Sequence, residues 1–150
     1  MNMIRLLTIF LLLHFSAFAQ SDKKVSWEFT AVKKDKNQFE IRLTANIAPG
    51  WHLYSQQQPA DAIALPTAIQ FAKHPLIERK GVVKEEGKLI DQVDPATRSR
   101  SRYYAGTVTF IQLVQLKKTM KTTISGDVEF MVCDDKQCLP PGKVKFSVKL

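Results

Sequence analysis

Strict alternation of apolar and polar residues is the feature that most constrains this chain. It runs through Val25–Ala31, Phe39–Ile47 and Val144–Leu150, where every second side chain is apolar. Successive side chains of an extended strand point to opposite faces, so each segment has one face for a core and one for water. A helix would repeat its apolar positions every three or four residues instead. The alternation therefore predicts β-strands that are half buried.

Five further segments have the composition of strands and are separated by breaks rich in proline, glycine or charge. They are Trp51–Tyr54, Ala68–Phe71, Gly81–Lys84, Tyr103–Leu116 and Thr122–Val132. No long amphipathic helical pattern accompanies them. Several short strands at close spacing predict an all-β fold in the form of an antiparallel β-sandwich.

The N-terminus has the organisation of a secretory signal. Arg5 precedes an apolar run to about residue 15, and an A-x-A cleavage motif ends at Ala19. The run is shorter than the ~20 residues that a membrane-spanning helix needs, and no second apolar stretch follows. We therefore expect residues 1–19 to be a signal peptide and residues 20–150 to form one domain. The mature protein is expected to be periplasmic or secreted, without a transmembrane segment.

The sequence is basic, with 22 Lys and Arg against 14 Asp and Glu. In an exported protein nucleic acid is not an expected partner, and lysines spread over strand faces and turns indicate a solvated surface. Within "RSRSR", Arg98, Arg100 and Arg102 share one face if the segment is extended. This patch is open to two interpretations: a surface that binds an anion or a partner, and an exposed loop without a role.

Cys133 and Cys138 are the only cysteines, and four polar residues separate them. In an oxidising compartment a disulfide between them persists. Closing so short a loop stabilises the fold by only ~2 kcal/mol, and a bond across a short polar loop is accessible to an attacking thiolate. Spacing alone leaves a structural and a redox-active disulfide equally open.

Metal and hydrolytic chemistry have little support. Two thiolates would need His52 or His74 as a further ligand, and C-x4-C lies at the edge of the spacing found in zinc sites. The sequence has no G-x-S-x-G, no H-E-x-x-H and no glycine-rich phosphate loop. We expect no metal and no other cofactor.

Three stretches together resemble the N-terminal periplasmic domain of the thiol:disulfide interchange protein DsbD. They are "PGWHLYS" (Pro49–Ser55), "YYAGTVTF" (Tyr103–Phe110) and "CDDKQCLPP" (Cys133–Pro141). The resemblance implies an immunoglobulin-like β-sandwich whose cysteines shuttle between disulfide and dithiol. It also implies a membrane-embedded electron donor, expected here to be a separate protein, and thioredoxin-like periplasmic partners. The alternative is a non-catalytic secreted immunoglobulin-like interaction module with a structural disulfide.

The resemblance also implies roles for individual residues. Cys133 and Cys138 correspond to the redox pair, and Cys138 would form the mixed disulfide with a partner. The family places aromatic side chains beside its cysteines at the positions of His52 and Tyr54. His52 is then either a proton donor or acceptor for a leaving thiolate, or a surface residue on a half-buried strand. Alternation puts Trp51 on the opposite face, in the core.

Two further neighbours of the cysteines follow from the same resemblance. Family members shield the disulfide with a cap loop in which acidic residues precede an aromatic. The corresponding stretch here, residues 91–102, contains Asp94 and three arginines but no aromatic, which implies an electrostatic influence on the cysteines or an acidic partner. Pro140 fixes its own φ and lacks a backbone donor, so it keeps the segment after Cys138 out of a strand ladder.

Overall fold

The structure is a computed structural model, and it describes residues 23–150. The predicted signal peptide, residues 1–19, lies outside the described residues. The described strands are β1 (Val25–Asp35), β2 (Gln38–Ile47), β3 (His52–Tyr54), β4 (Ala68–Phe71), β5 (Ile77–Val93), β6 (Arg100–Leu116), β7 (Thr123–Phe130), β8 (Val132–Cys133) and β9 (Gly142–Lys149). In this part of the chain no helix is long and apolar enough to cross a membrane.

The strands form two antiparallel sheets. The larger sheet has the order β1-β2-β6-β3-β8. Strands β2 and β3 pair with one edge of β6, and β5 pairs with its other edge. The smaller sheet has the order β4-β7-β9. The all-β antiparallel sandwich predicted from the alternation is confirmed.

The core lies between the two sheets and is built from alternate residues of the strands. Ile41 and Leu43 of β2, Phe110 of β6 and Val128 of β7 are all at most 1% exposed. Fully burying side chains of this size stabilises a fold by roughly 1.5–3 kcal/mol each. Trp51, expected in the core, is half-buried and packs against it.

The prediction for β5 was too short. Gly81–Lys84 lies within a 17-residue strand that pairs with β6 on both sides of a register shift between Lys80 and Lys84. Most of β5 is exposed, so burial imposes little alternation on its sequence. Residues 91–102, interpreted as one loop, are instead the end of β5, a short turn and the start of β6.

The geometry of this turn also changes the interpretation of "RSRSR". Arg98 has a φ of 53°, in the left-handed region, so it is not part of an extended segment. Arg100 and Arg102 do lie two residues apart on β6, and both contact the carboxylate of Asp91, at 2.9 and 3.0 Å. The prediction of one face shared by three arginines is therefore wrong for Arg98.

Candidate functional site

The two cysteines close a small loop at one end of the sandwich. Cys133 ends β8, and a disulfide joins it to Cys138, with the Cα atoms 4.0 Å apart. Within the loop, the Asp134 carboxylate accepts hydrogen bonds from the N–H groups of Lys136 and Gln137, each at 2.8 Å. These hydrogen bonds lower the pKa of Asp134. Asp134 therefore acts mainly as the residue that shapes the loop.

The two sulfur-bearing residues differ in exposure. Cys133 is 0% exposed and belongs to a buried cluster with Tyr54, Ala64 and Tyr103. Cys138 is exposed. A thiolate approaching from solvent therefore meets Cys138 and not Cys133.

Strand β3 places two polar side chains against the buried cysteine. His52 is directly opposite Cys133 in the β3–β8 ladder, and Tyr54 is opposite Tyr103 in the β3–β6 ladder. Because side chains two residues apart share a face, His52 and Tyr54 point the same way. His52 is only 5% exposed, so its interpretation as a surface residue is wrong.

A chain of polar contacts at hydrogen-bonding distance connects His52 to the sulfur of Cys133. Because the Tyr54 hydroxyl has one proton, it donates to either Asp94 or Cys133 at a time. The Tyr54 hydroxyl lies 3.1 Å from Cys133 Sγ and 2.5 Å from Asp94 Oδ2. His52 Nε2 lies 2.8 Å from the same carboxylate oxygen. We call these residues the polar relay, in the order His52, Asp94, Tyr54 and Cys133.

Asp94 is completely buried, and the turn after β5 holds it in place. Its Oδ1 accepts hydrogen bonds from the N–H groups of Ala96 and Thr97, at 2.7 and 3.1 Å. Its backbone N–H donates to the Ser99 carbonyl at 2.9 Å, and its carbonyl accepts from the Arg98 N–H at 2.8 Å. The left-handed conformation of Arg98 thus closes the turn that presents Asp94 to β3.

Burial and hydrogen bonding set the protonation states of Asp94 and Tyr54 in the polar relay. Burial alone would raise the pKa of Asp94, but hydrogen bonds from Tyr54, Thr97 and Ala96 and the charge of His52 together lower it. For Tyr54, burial and the neighbouring Asp94 carboxylate raise the pKa well above its ordinary value. Asp94 is therefore a carboxylate at neutral pH, and the Tyr54 hydroxyl keeps its proton as a hydrogen-bond donor.

Tyr103 is a member of the site to which the sequence analysis gave no role. Its ring lies 4.3 Å from the His52 ring, centroid to centroid, and Gln92 Nε2 donates to its hydroxyl at 2.6 Å. The two adjacent tyrosines in "YYAGTVTF" were the feature of the sequence that could have indicated this residue. Only the register of β6 against β3 shows that Tyr103 faces the site.

Three of the remaining candidates, Arg100, Arg102 and His74, lie apart from the relay. Arg100 and Arg102 bind Asp91, whose pKa they lower by hydrogen bonding, and they contact neither cysteine. Pro140 is exposed two residues after Cys138, in a segment outside the strands. His74 Nε2 lies at hydrogen-bonding distance, 3.1 Å, from the Thr122 hydroxyl and not beside the cysteines. Among residues 23–150, no group of three or more metal-ligating side chains is found.

Comparison with known proteins gives a family and a set of folds. The family model described as thiol:disulfide interchange protein DsbD, N-terminal, matches residues 18–150. None of the curated proteins compared with the chain matches it.

Three solved structures share the fold. The DsbD N-terminal domain of Neisseria meningitidis in the reduced form has a TM-score of 0.50 and 15% identity over 87% of this chain and 89% of that one. The N-terminal periplasmic domain of ScsB from Proteus mirabilis has a TM-score of 0.57 and 15% identity, over 87% of this chain and 47% of that one. A complex of the DsbD and PilB N-terminal domains from Neisseria meningitidis has a TM-score of 0.52 and 12% identity, over 85% of this chain and 84% of that one. The expected immunoglobulin-like sandwich is confirmed.

Proposed function

This chain belongs to the DsbD N-terminal domain family, whose chemistry is thiol–disulfide exchange, and we propose that it exchanges electrons with its partners through Cys138. The single observation that carries the proposal is the unequal exposure of the two cysteines. Cys138 is open to solvent, whereas Cys133 is buried against a hydrogen-bond donor. Exchange requires an accessible sulfur to attack and a stabilised sulfur to leave.

The exchange proceeds through a mixed disulfide. A partner thiolate attacks Cys138 Sγ, the bond between the two cysteines breaks, and Cys133 leaves as a thiolate. A second thiolate of the partner then attacks the partner's own sulfur in the mixed disulfide and releases Cys138. The module gains two electrons and two protons, and the partner becomes a disulfide. In the opposite direction, Cys138 attacks a partner disulfide and Cys133 resolves the mixed disulfide.

The polar relay stabilises the thiolate that forms on Cys133. The Tyr54 hydroxyl has a single proton, and as charge develops it turns this proton from Asp94 towards the leaving sulfur, 3.1 Å away. Because the pKa of Tyr54 is raised, this group stabilises the charge by hydrogen bonding and keeps its own proton. Histidine is the side chain that most readily exchanges a proton near neutral pH, and His52, opposite Cys133 in the β3–β8 ladder, is the proposed donor or acceptor of the proton that the Cys133 sulfur exchanges.

The partners proposed for this module are thioredoxin-like proteins and a separate membrane-embedded electron donor. The first class is supported by the family and by the solved complex of DsbD and PilB N-terminal domains. The proposed compartment is the periplasm or the exterior, reached through a signal peptide at residues 1–19. An oxidising compartment of this kind is where the disulfide is stable between turnovers.

Trapping with single-cysteine variants tests which sulfur is attacked. Cys133→Ser leaves the exposed Cys138, and we expect it to form a stable mixed disulfide with a thioredoxin-like protein that has lost its resolving cysteine. Cys138→Ser is the matched control, because it keeps one thiol but leaves it buried. Non-reducing electrophoresis and mass spectrometry measure the trapped species.

The expected result is a covalent complex through Cys138 and little or none through Cys133. Equal trapping by both variants would contradict the assignment of Cys138. Failure of both variants to react with any thioredoxin-like protein or small disulfide would instead favour the interaction module with a structural disulfide.

A further inference from the structure

Lysines that the sequence analysis interpreted as a dispersed solvated surface are gathered at the end of the sandwich opposite the disulfide. The connections there are held together by backbone hydrogen bonds. Leu116 N–H donates to the Asn37 carbonyl at 2.8 Å, and Lys117 N–H donates to the Leu76 carbonyl at 3.0 Å. We call this region the lysine end, and it comprises residues 33–38, 72–76, 117–122 and 149–150.

The lysine end holds nearly all of the excess charge of the protein. It contains eight lysines and a single acidic residue, Asp35, so its net charge is +7, against +8 for the whole sequence. Lys34 pairs with Glu40 at 3.3 Å. Among residues 23–150, the other seven lysines find no ion-pair partner, and these are Lys33, Lys36, Lys73, Lys117, Lys118, Lys121 and Lys149. Unpaired like charges held side by side create a strong local positive potential.

The lysine end also has an exposed apolar side chain among its lysines. Met120 is 47% exposed and lies between Lys118 and Lys121 in the connection from β6 to β7. The adjacent Thr119 hydroxyl donates to Asn37 Oδ1 at 2.7 Å, which ties this connection to the turn between β1 and β2. The methionine is therefore held at the surface among lysines from two connections.

We propose that the lysine end binds the surface of a lipid bilayer that contains anionic phospholipid. Lysine ammonium groups suit headgroup phosphates, and an apolar side chain among them suits the boundary between headgroups and acyl chains. A single-stranded nucleic acid is less suitable, because such surfaces stack bases on aromatic rings and the lysine end has no Phe, Tyr or Trp.

Binding in this way has a geometric consequence. Strand β6 runs from Tyr103 beside the disulfide site to Leu116 at the lysine end, a distance of about 40 Å for a strand of this length. A module attached by its lysine end holds Cys138 about that far from the headgroups and turned away from them. This inference uses no property of the disulfide and is independent of the proposed exchange function.

Vesicle flotation with the purified protein tests the inference. The probes are vesicles of phosphatidylcholine alone and vesicles in which about one third is replaced by phosphatidylglycerol. A lysine-end triple variant carries Lys117→Glu, Lys118→Glu and Lys121→Glu. The matched control carries Lys84→Glu, Lys88→Glu and Lys145→Glu, three exposed lysines outside the lysine end. Residues 1–22 are identical in all variants, so their contribution to binding cancels.

We expect the wild type to bind the phosphatidylglycerol vesicles, and the lysine-end variant to bind them at least about 100-fold more weakly, at about fivefold for each lysine near the surface. The control variant is expected to lose much less. Met120→Ser is expected to weaken vesicle binding several-fold, and Met120→Leu to restore it. Circular dichroism melts verify that each variant is folded.

Three outcomes would overturn the proposal. One is equal affinity of the wild type for vesicles with and without phosphatidylglycerol. Another is an equal loss in both triple variants, which would show that only net charge matters. The third is binding to soluble DNA as tight as binding to vesicles, with no effect of Met120→Ser. That combination would make the lysine end a general polyanion site.

Discussion

The two ends of the sandwich use charge in opposite ways. The disulfide end comprises residues 49–67, 91–102 and 131–141, which contain five aspartates and four Lys or Arg side chains. Asp94 is buried against His52, and Asp91 forms ion pairs with Arg100 and Arg102. At the lysine end, one aspartate stands among eight lysines, and seven of the lysines lack an ion-pair partner in the described part of the chain. Satisfied, buried charges position a reactive group, whereas unsatisfied, exposed charges attract a large counter-charged surface.

Removing the disulfide gives the largest expected contrast between the two ends. We expect the double variant Cys133→Ala, Cys138→Ala to lose exchange with thioredoxin-like proteins completely. Its free energy of unfolding should fall by only ~2 kcal/mol, because the closed loop is short. Urea unfolding and a thiol-exchange assay measure the two effects. Unchanged partner reduction in this variant would contradict the assignment of the site.

Removing the Tyr54 hydroxyl is the next largest change. Tyr54→Phe removes the hydroxyl that contacts both Cys133 Sγ and Asp94 Oδ2, and we expect exchange with a dithiol to slow about 10- to 100-fold. Tyr104→Phe is the matched control, because the Tyr104 hydroxyl donates to Glu85 at 2.8 Å and does not contact a cysteine. Both variants should lose similar stability in urea, but only Tyr54→Phe should change the exchange rate. Equal exchange rates for the two variants would contradict the role of the polar relay in stabilising the Cys133 thiolate.

Acid titration separates the buried carboxylate of the disulfide end from the exposed charges elsewhere. The pKa of Asp94 is lower in the folded protein than its ordinary 3.8, so its ionisation stabilises the fold above that value. This contribution disappears as the pH falls from about 4 through the lowered pKa. Asp94→Asn should be less stable than wild type at neutral pH and lose less further stability on acidification, as measured by urea unfolding at each pH. Parallel pH profiles would show that Asp94 is not ionised in the fold.

Charge reversal at the lysine end should have the smallest effect on exchange. With Lys117, Lys118 and Lys121 all replaced by Glu, we expect the rate with dithiothreitol to stay within about twofold of wild type. The reason is that about 40 Å separates the two ends, several times the screening length of ~8 Å at physiological salt. A stopped-flow measurement of disulfide reduction tests this. A larger change would mean that the two ends are not independent.

The sequence predicts much of the fold because burial leaves a pattern in it. The alternation of Phe39–Ile47 agrees with β2, which has a buried face. The bounds of Ala68–Phe71 agree with β4, where Ile69 and Phe71 are half-buried against the core. The same logic explains the failure at β5. That strand is mostly exposed, so its residues are chosen for charge and solubility, and its length is set by pairing with β6.

The two ends differ in how far the sequence could predict them. Cys133, Cys138, His52, Tyr54 and Asp94 were candidates through the family resemblance, but their order in the polar relay depends on the register of β3 and on the turn at Arg98. The lysine end had no local signal, because its lysines are separated by up to 116 positions in the chain. Only the topology brings their segments together.

The reduction potential of the Cys133–Cys138 disulfide tests the central claim most directly. It is measured by equilibrating the purified protein in thiol–disulfide buffers of defined potential and counting free thiols. An exposed attackable sulfur in a short loop predicts a labile bond, with a potential well above about −300 mV. A potential below that value would mark a structural disulfide and contradict the assignment of this module to thiol–disulfide exchange.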